Sequence, residues 1–166
     1  TEFAEMMGTK YALAVSSCSA ALFLSLKALG LPRGARVMIP AFTFAAVPSS
    51  IVHADCEPVL CECGDNYRID LNDFHAKLES VQAVIISHMR GHTSDMNAIM
   101  EACDARGIPV IEDAAQGIGV TYNGKPVGGL GTIGCFSFFA DKTIPPGEGG
   151  YVTPRAPAIA EKLLYL

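Results

Sequence analysis

Apolar residues in this chain fall into two kinds of block that alternate. Ala83–Ser87 (AVIIS) is continuous and rich in β-branched side chains, the mark of a strand buried on both faces. Between such blocks lie longer runs with apolar residues at helical spacing, opened by small polar residues and closed by Gly or Pro. In chain order, residues 11–15 (YALAV) predict a strand. Ser16, Ser17, Cys18 and Ser19 then open the helical run AALFLSLKALG, which Gly30 and Pro32 end. Residues 37–39 are the next strand, and 44–54 a helix that Pro48 interrupts unless it lies in the first turn. A strand at 59–63 follows, and then a helix capped at Asp70 that runs to Leu78. After the strand AVIIS, Ser94 and Asp95 cap the helix MNAIMEACDARG, and residues 109–111 form another strand. The pattern then changes to a hairpin at 120–127 around Asn123-Gly124, strands at 133–139 and 150–153, and a terminal helix.

Regular β-α alternation over the first two-thirds predicts an α/β fold: three αβα layers with a mostly parallel central sheet. Ligands of such sheets bind beyond the carboxyl ends of the strands. That rule selects residues 16–19, 40–44, 87–91, 112–116 and 137–142 as one shared edge.

With 166 residues, half of them hydrophobic, the chain is the size of one domain and can bury a real core. The net charge of −5 excludes a basic nucleic-acid surface, and no apolar run approaches the ~20 residues of a membrane span. Six cysteines lack paired C-x-x-C spacing, and Cys61 and Cys63 read as buried thiols on one face of a strand. With no signal peptide visible, these are read as reduced thiols of a cytoplasmic protein. The start at Thr1 in what reads as mid-helix, and the amphipathic finish AIAEKLLYL, suggest part of a longer protein.

Five stretches could carry chemistry. The serines around Cys18 stand where a strand becomes a helix, a place that suits an anion or an ordinary N-cap. Glu112-Asp113-Ala114-Ala115-Gln116 closes an apolar strand; two carboxylates there need partners, and one carboxylate with a glutamine three residues on suits gripping the edges of a polar ring, the alternative being a helix cap. His88 and His92 flank Arg90-Gly91 and either line a pocket or belong to a plain loop; without a third ligand they do not predict a metal site. Gly129-x-Gly131-x-x-Gly134 has the lettering of a dinucleotide fingerprint, but it leads into a strand, so loop glycines are the better reading than a nicotinamide site. The last stretch is GTIGCFSFFADKTIPPGEGG, which delivers Lys142 into a turn beside Phe138, Phe139, Ile144 and two prolines. Apolar surroundings strip water from an ammonium and favour the neutral, nucleophilic amine; on this stretch alone a solvated surface lysine at an edge turn is the better reading.

Together these stretches resemble the DegT/StrS-type sugar aminotransferases of the aspartate aminotransferase fold. SSCSAALFLSLKALGL is similar to a segment containing SGTAAL, RVMIPAFTFAA to EVIVPxxTFxA, and VIEDAAQGIG to VIEDAAQAxG. ISHMRGHTSDMNAIM and GCFSFFADKTIPPGEGG also match, in register and order. The resemblance implies that residues 1–166 are a pyridoxal 5′-phosphate (PLP)-binding large domain, lacking the small C-terminal domain of that family. It places Lys142 on the lysine that forms the Schiff base with PLP and shuttles the proton. Asp113 falls on the carboxylate facing the pyridinium nitrogen, Gln116 beside the phenolic oxygen, and Phe44 on the aromatic stacked against the ring. Cys18 and Ser19 fall on the Gly-Thr of the phosphate cup, and Ser137 on a serine that adds a hydroxyl to it. Cys18 is a departure, since a side chain stands where the pattern has glycine. Lysine at 142 also argues against dehydratase relatives, which carry histidine there. The implied activity is transfer of an amino group from an amino acid such as L-glutamate to a keto sugar, free or nucleotide-linked, in a homodimer. A sugar acid of the octulosonate type is an alternative acceptor, and a non-catalytic regulatory or assembly module with this fold is an alternative role.

Overall fold

A computed structural model describes residues 2–142, 144 and 147–166. Thr143, Pro145 and Pro146, part of the turn expected to aim Lys142, lie outside the described residues. The elements follow the hydrophobic pattern closely. They are α1 (Glu2–Met6), β1 (Leu13–Val15), α2 (Cys18–Leu29), β2 (Arg36–Pro40), α3 (Ala46–His53), β3 (Glu57–Cys61) and α4 (Leu71–Lys77). Then come β4 (Ala83–Ser87), α5 (Met96–Asp104), β5 (Val110–Asp113), the hairpin β6 (Thr121–Tyr122) and β7 (Lys125–Pro126), β8 (Ile133–Ser137), β9 (Gly150–Pro154) and α6 (Pro157–Leu164).

Local chemistry sets the helix ends. Ser17 caps α2 by accepting a hydrogen bond from the Ala20 amide, and Gly30 ends it at φ 67°. Asp70 and Asp95 cap α4 and α5 in the same way. Helix α3 starts at Ala46, two residues later than expected, which puts Pro48 in its first turn where a missing N–H costs nothing. Strand β3 ends at Cys61, so Cys63 lies past the strand and is half-buried, while Cys61 is buried.

Seven strands form one sheet in the order β1-β9-β8-β5-β4-β2-β3. Pairing is parallel from β3 through β2, β4 and β5 to β8, and antiparallel at β8-β9 and β9-β1. Strand alternation divides the side chains between two cores. Val37, Ile39, Ala83, Ile85 and Ile111 pack with α2, α3 and α6 on one face. Met38, Val84, Ile86 and Val110 pack with α4 and α5 on the other. These three layers match the expected architecture. Each fully buried Ile or Val contributes roughly 1.5–3 kcal/mol. A third cluster joins Met7, Phe136 and Phe138, with Phe3 of α1 stacked on Tyr151 at 4.5 Å. Among the described residues, no helix is long and apolar enough to cross a membrane.

Two antiparallel reversals place β1 parallel to β8. The ends of β1, β2, β4, β5 and β8 therefore all reach the same edge of the sheet, and β9 starts there. At that edge Gly150 is hemmed in: a Cβ on it would come within 2.7–2.8 Å of Phe136 O and the Ser17-Cys18 peptide. The absence of a side chain lets β9 pass under the N-terminus of α2.

Candidate active site

A cavity of about 300 Å³ opens at this edge, at the lower end of the ~300–1,000 Å³ usual for small-molecule sites. Every residue that the sequence singled out for a cofactor lines it. Cys18 and Ser19 come from the first turn of α2, Phe44 from the loop after β2, Asp113 and Gln116 from the end of β5 and beyond, Ser137 from the end of β8, and Lys142 from the following turn.

The first turn of α2 gives the cavity its anion-seeking end. The first intrahelical amide is that of Ala21, which donates to Ser17 O, and the Ala20 amide is taken by Ser17 Oγ. The amides of Cys18 and Ser19 precede them, where helix geometry supplies no carbonyl. Ser17 is thus the expected cap, and the first-turn geometry leaves the anion reading open. Ser137, buried at the end of β8, adds a hydroxyl on the cavity wall.

The opposite demand, for a cation, comes from Asp113. It is 6% exposed, and its carboxylate has only long hydrogen bonds. Oδ1 accepts from the Ala115 amide at 3.2 Å and from Cys18 Sγ at 3.8 Å; Oδ2 accepts from Ser87 Oγ at 3.3 Å. Burial pushes the Asp113 carboxyl above the usual carboxylate range, against the pull of these donors and of His88. A buried carboxylate so weakly held, on the wall of a cavity, has unused capacity for a cationic N–H donor.

Sequence reasoning placed Ser87 and Thr43 at this edge without giving them a role; they continue this chain, with Thr43 Oγ1 and Ser87 Oγ 2.6 Å apart. One signal was available, since Ser87 is the polar last residue of an otherwise apolar buried strand, paired in register with Asp113.

Glu112, the other carboxylate at the end of this strand, caps no helix and does not line the cavity. It is fully buried on the other face of β5 and accepts from His88 Nε2 at 2.9 Å and from the amides of Gly128 and Leu130 at 2.7 Å, with Gly131 as a further donor. Burial alone would raise its pKa, but the His88 contact and these amides outweigh it and hold the carboxyl below its usual value. The glycine string is therefore a loop wrapped on a carboxylate. Gly134 belongs to it for packing reasons, because a Cβ there would overlap Gly128 O and reach Thr153 Oγ1.

His88 lines the cavity and is 1% exposed; its Nε2 donates to Glu112, and Nδ1 lies 2.7 Å from Thr93 Oγ1. His92 instead packs edge-on against Tyr67, away from His88. Among the described residues no three His, Cys, Asp or Glu side chains gather as metal ligands.

Gln116 accepts the Arg90 amide on Oε1 at 2.7 Å, which leaves its NH₂ group as the free donor. Phe44 is 68% exposed at the mouth. Lys142 is not isolated among apolar side chains as expected: Nζ lies 3.1 Å from Asp141 Oδ1, and Phe139 and Ile144 beside it are exposed. Its side chain is nonetheless only 20% exposed and lines the cavity.

The family model of the DegT/DnrJ/EryC1/StrS aminotransferases matches residues 1–166. The chain belongs to that family. It is 39% identical over 168 residues to the GDP-perosamine synthase of Vibrio cholerae, covering 100% of this chain and 46% of the relative. It is 35% identical to EpsN of Bacillus subtilis, a putative pyridoxal phosphate-dependent aminotransferase, over 99% of this chain and 45% of that one. The X-ray structure of an aminotransferase from Psychrobacter cryohalolentis superposes with a TM-score of 0.94 at 36% identity, covering 98% of this chain and 42% of that one. The chain thus spans less than half the length of the curated relatives that it matches. PLP is the cofactor that this family membership brings, and the cavity suits it at both ends: unpaired amides for a phosphate and an under-bonded buried carboxylate for a protonated ring nitrogen.

Proposed function

We propose that these residues form the cofactor-binding large domain of a PLP-dependent aminotransferase that moves an amino group from L-glutamate to a nucleotide-linked keto sugar. The observation that carries the reading is Asp113, a buried carboxylate with long hydrogen bonds, on the wall of the cavity that Lys142 also lines. The likeness to a GDP-perosamine synthase supports the sugar class. The remainder of a full-length protein and a second copy would complete the substrate pocket, in a cytoplasmic homodimer.

When bound, PLP supplies an electron sink for the carbanion formed at the amino acid's Cα. This chain's residues do the rest. Asp113 holds a proton on the ring nitrogen and so keeps the sink effective. The Cys18 and Ser19 amides and the Ser137 hydroxyl hold the phosphate, the Gln116 NH₂ donates to the phenolic oxygen, and Phe44 covers one ring face. Lys142 would hold the cofactor through Nζ and carry a proton at that atom. Asp141 stands beside that amine to balance its charge when it is protonated.

Cofactor-free full-length protein mixed with PLP tests the proposal. Wild type should acquire the visible absorbance of lysine-bonded PLP and lose it on addition of L-glutamate, with one equivalent of pyridoxamine phosphate formed. Lys142→Ala should show neither. Absence of both signals in wild type would overturn the reading.

A further inference from the structure

Cys18 stands where the resembling sequence pattern has glycine, and its backbone and side chain face different parts of the cavity. The amide belongs to the first turn of α2, among the donors suited to a phosphate. The side chain is 9% exposed and its Sγ lies 3.8 Å from Asp113 Oδ1. We propose that Cys18 is a positioning residue whose thiol fixes the Asp113 carboxylate toward the ring nitrogen, rather than a residue whose side chain serves the phosphate. This inference rests on the reading of the cavity as a PLP site.

Direction of donation follows from the surroundings. Burial, and next the neighbouring Asp113 charge, hold the thiol well above its ordinary value, so it stays protonated and can only donate to the carboxylate. Among the described residues Asp113 has three side-chain or backbone donors, none closer than 3.2 Å. Removing any one of them frees part of the carboxylate's orientation. A thiol is a weak donor. It can therefore orient Oδ1 without satisfying it, and the charge remains available to a ring N–H. A serine hydroxyl is the stronger donor but sits on a shorter bond to Cβ, so it keeps this contact by drawing the carboxylate toward it, whereas glycine or alanine would leave Oδ1 with the Ala115 amide alone.

The experiment compares two ligands on full-length, cofactor-stripped protein: PLP, and its analogue in which carbon replaces the ring nitrogen. Both carry the phosphate and the aldehyde, and only PLP can use Asp113. Cys18→Ala and Cys18→Gly should weaken PLP by roughly three- to tenfold while changing the carbon analogue by less than about twofold. Cys18→Ser should keep the wild-type preference for PLP. If Cys18→Ala does not fold, Cys18→Gly and Cys18→Ser carry the comparison. Equal weakening of both ligands would place the side chain at the phosphate or in general packing and overturn the inference, as would no change in either. Failure of wild type to bind either ligand would remove the PLP reading itself, and this inference with it.

Discussion

Glu112 and Asp113 are consecutive residues of β5, both buried, and the sheet holds their carboxylates in opposite ways. Strand alternation sends Glu112 toward the glycine loop, where four donors surround it, and Asp113 toward α2, where three long bonds reach it. The first is held below its ordinary pKa and the second above. One carboxylate is satisfied by the fold, and its neighbour is left with only long hydrogen bonds on the wall of the cavity.

Substitution of Glu112 tests the structural half. Glu112→Gln removes the charge and sets an NH₂ group against N–H donors, so the full-length protein should lose about 3 kcal/mol of stability. Because the folded pKa lies below the usual 4.5, this contribution is complete above that value and disappears as pH falls through the folded pKa. Chemical denaturation of wild type and variant across pH should show a gap that is wide at neutrality and closes in acid. A constant gap would mean that packing, not charge, is lost.

The Asp113 case has the reverse sign. Its folded pKa is raised above the usual 3.8, so below that value its ionisation costs the cofactor-free protein nothing. As pH rises from 3.8 through the folded pKa, the unfolded chain ionises first and stability falls. Asparagine cannot ionise. Cofactor-free Asp113→Asn should therefore equal or exceed wild type in stability at neutral pH, with the difference shrinking in acid. Melting temperatures measured at several pH values would show this, and a variant less stable than wild type at neutral pH would contradict it.

The glycine string offers a test that no nucleotide site would pass. Gly134→Ala should destabilise by more than about 3 kcal/mol, because its Cβ overlaps Gly128 O in a packed β8-β9 pair. Added NAD should not restore the loss. A mild effect would mean that the loop can move away from Glu112.

Much of this was legible in the sequence, for reasons that differ by element. Ala83–Ser87 was visible because a strand buried on both faces is a continuous apolar run, whereas β5 was visible only in its apolar start and runs on through the buried Glu112 and Asp113. Helix α2 was visible because its cap and stop are local chemistry: Ser17 Oγ on the Ala20 amide, Gly30 at positive φ. The gathering of Cys18, Ser19, Phe44, Asp113, Gln116, Ser137 and Lys142 around one cavity followed from the rule of strand ends. What stayed hidden was pairwise. Nothing in GGLGTIG shows that its amides fold onto Glu112, and nothing near Lys142 shows whether Asp141 turns toward it. Such partners are set by how distant loops pack, which local spacing does not encode.

Lys142 and Asp113 contribute to the same cavity with separable duties, and their variants should fail differently. If the proposed roles hold, Lys142→Ala removes the amine that would bond PLP and carry the proton, so the visible absorbance should vanish while noncovalent PLP binding, through the α2 amides and Asp113, persists. Turnover should fall by about 10³-fold or more. Asp113→Asn keeps the amine and should keep the absorbance, but cannot hold the ring proton by charge. Its turnover should fall by roughly 10²–10³-fold, the scale of losing one preorganised charge contact. Single-turnover reaction with L-glutamate, followed with and without added methylamine, separates the two. Methylamine can replace the missing amine in Lys142→Ala and should restore part of the rate, and it should leave Asp113→Asn unchanged. Rescue of both variants, or of neither, would show that the duties are not divided between these two residues.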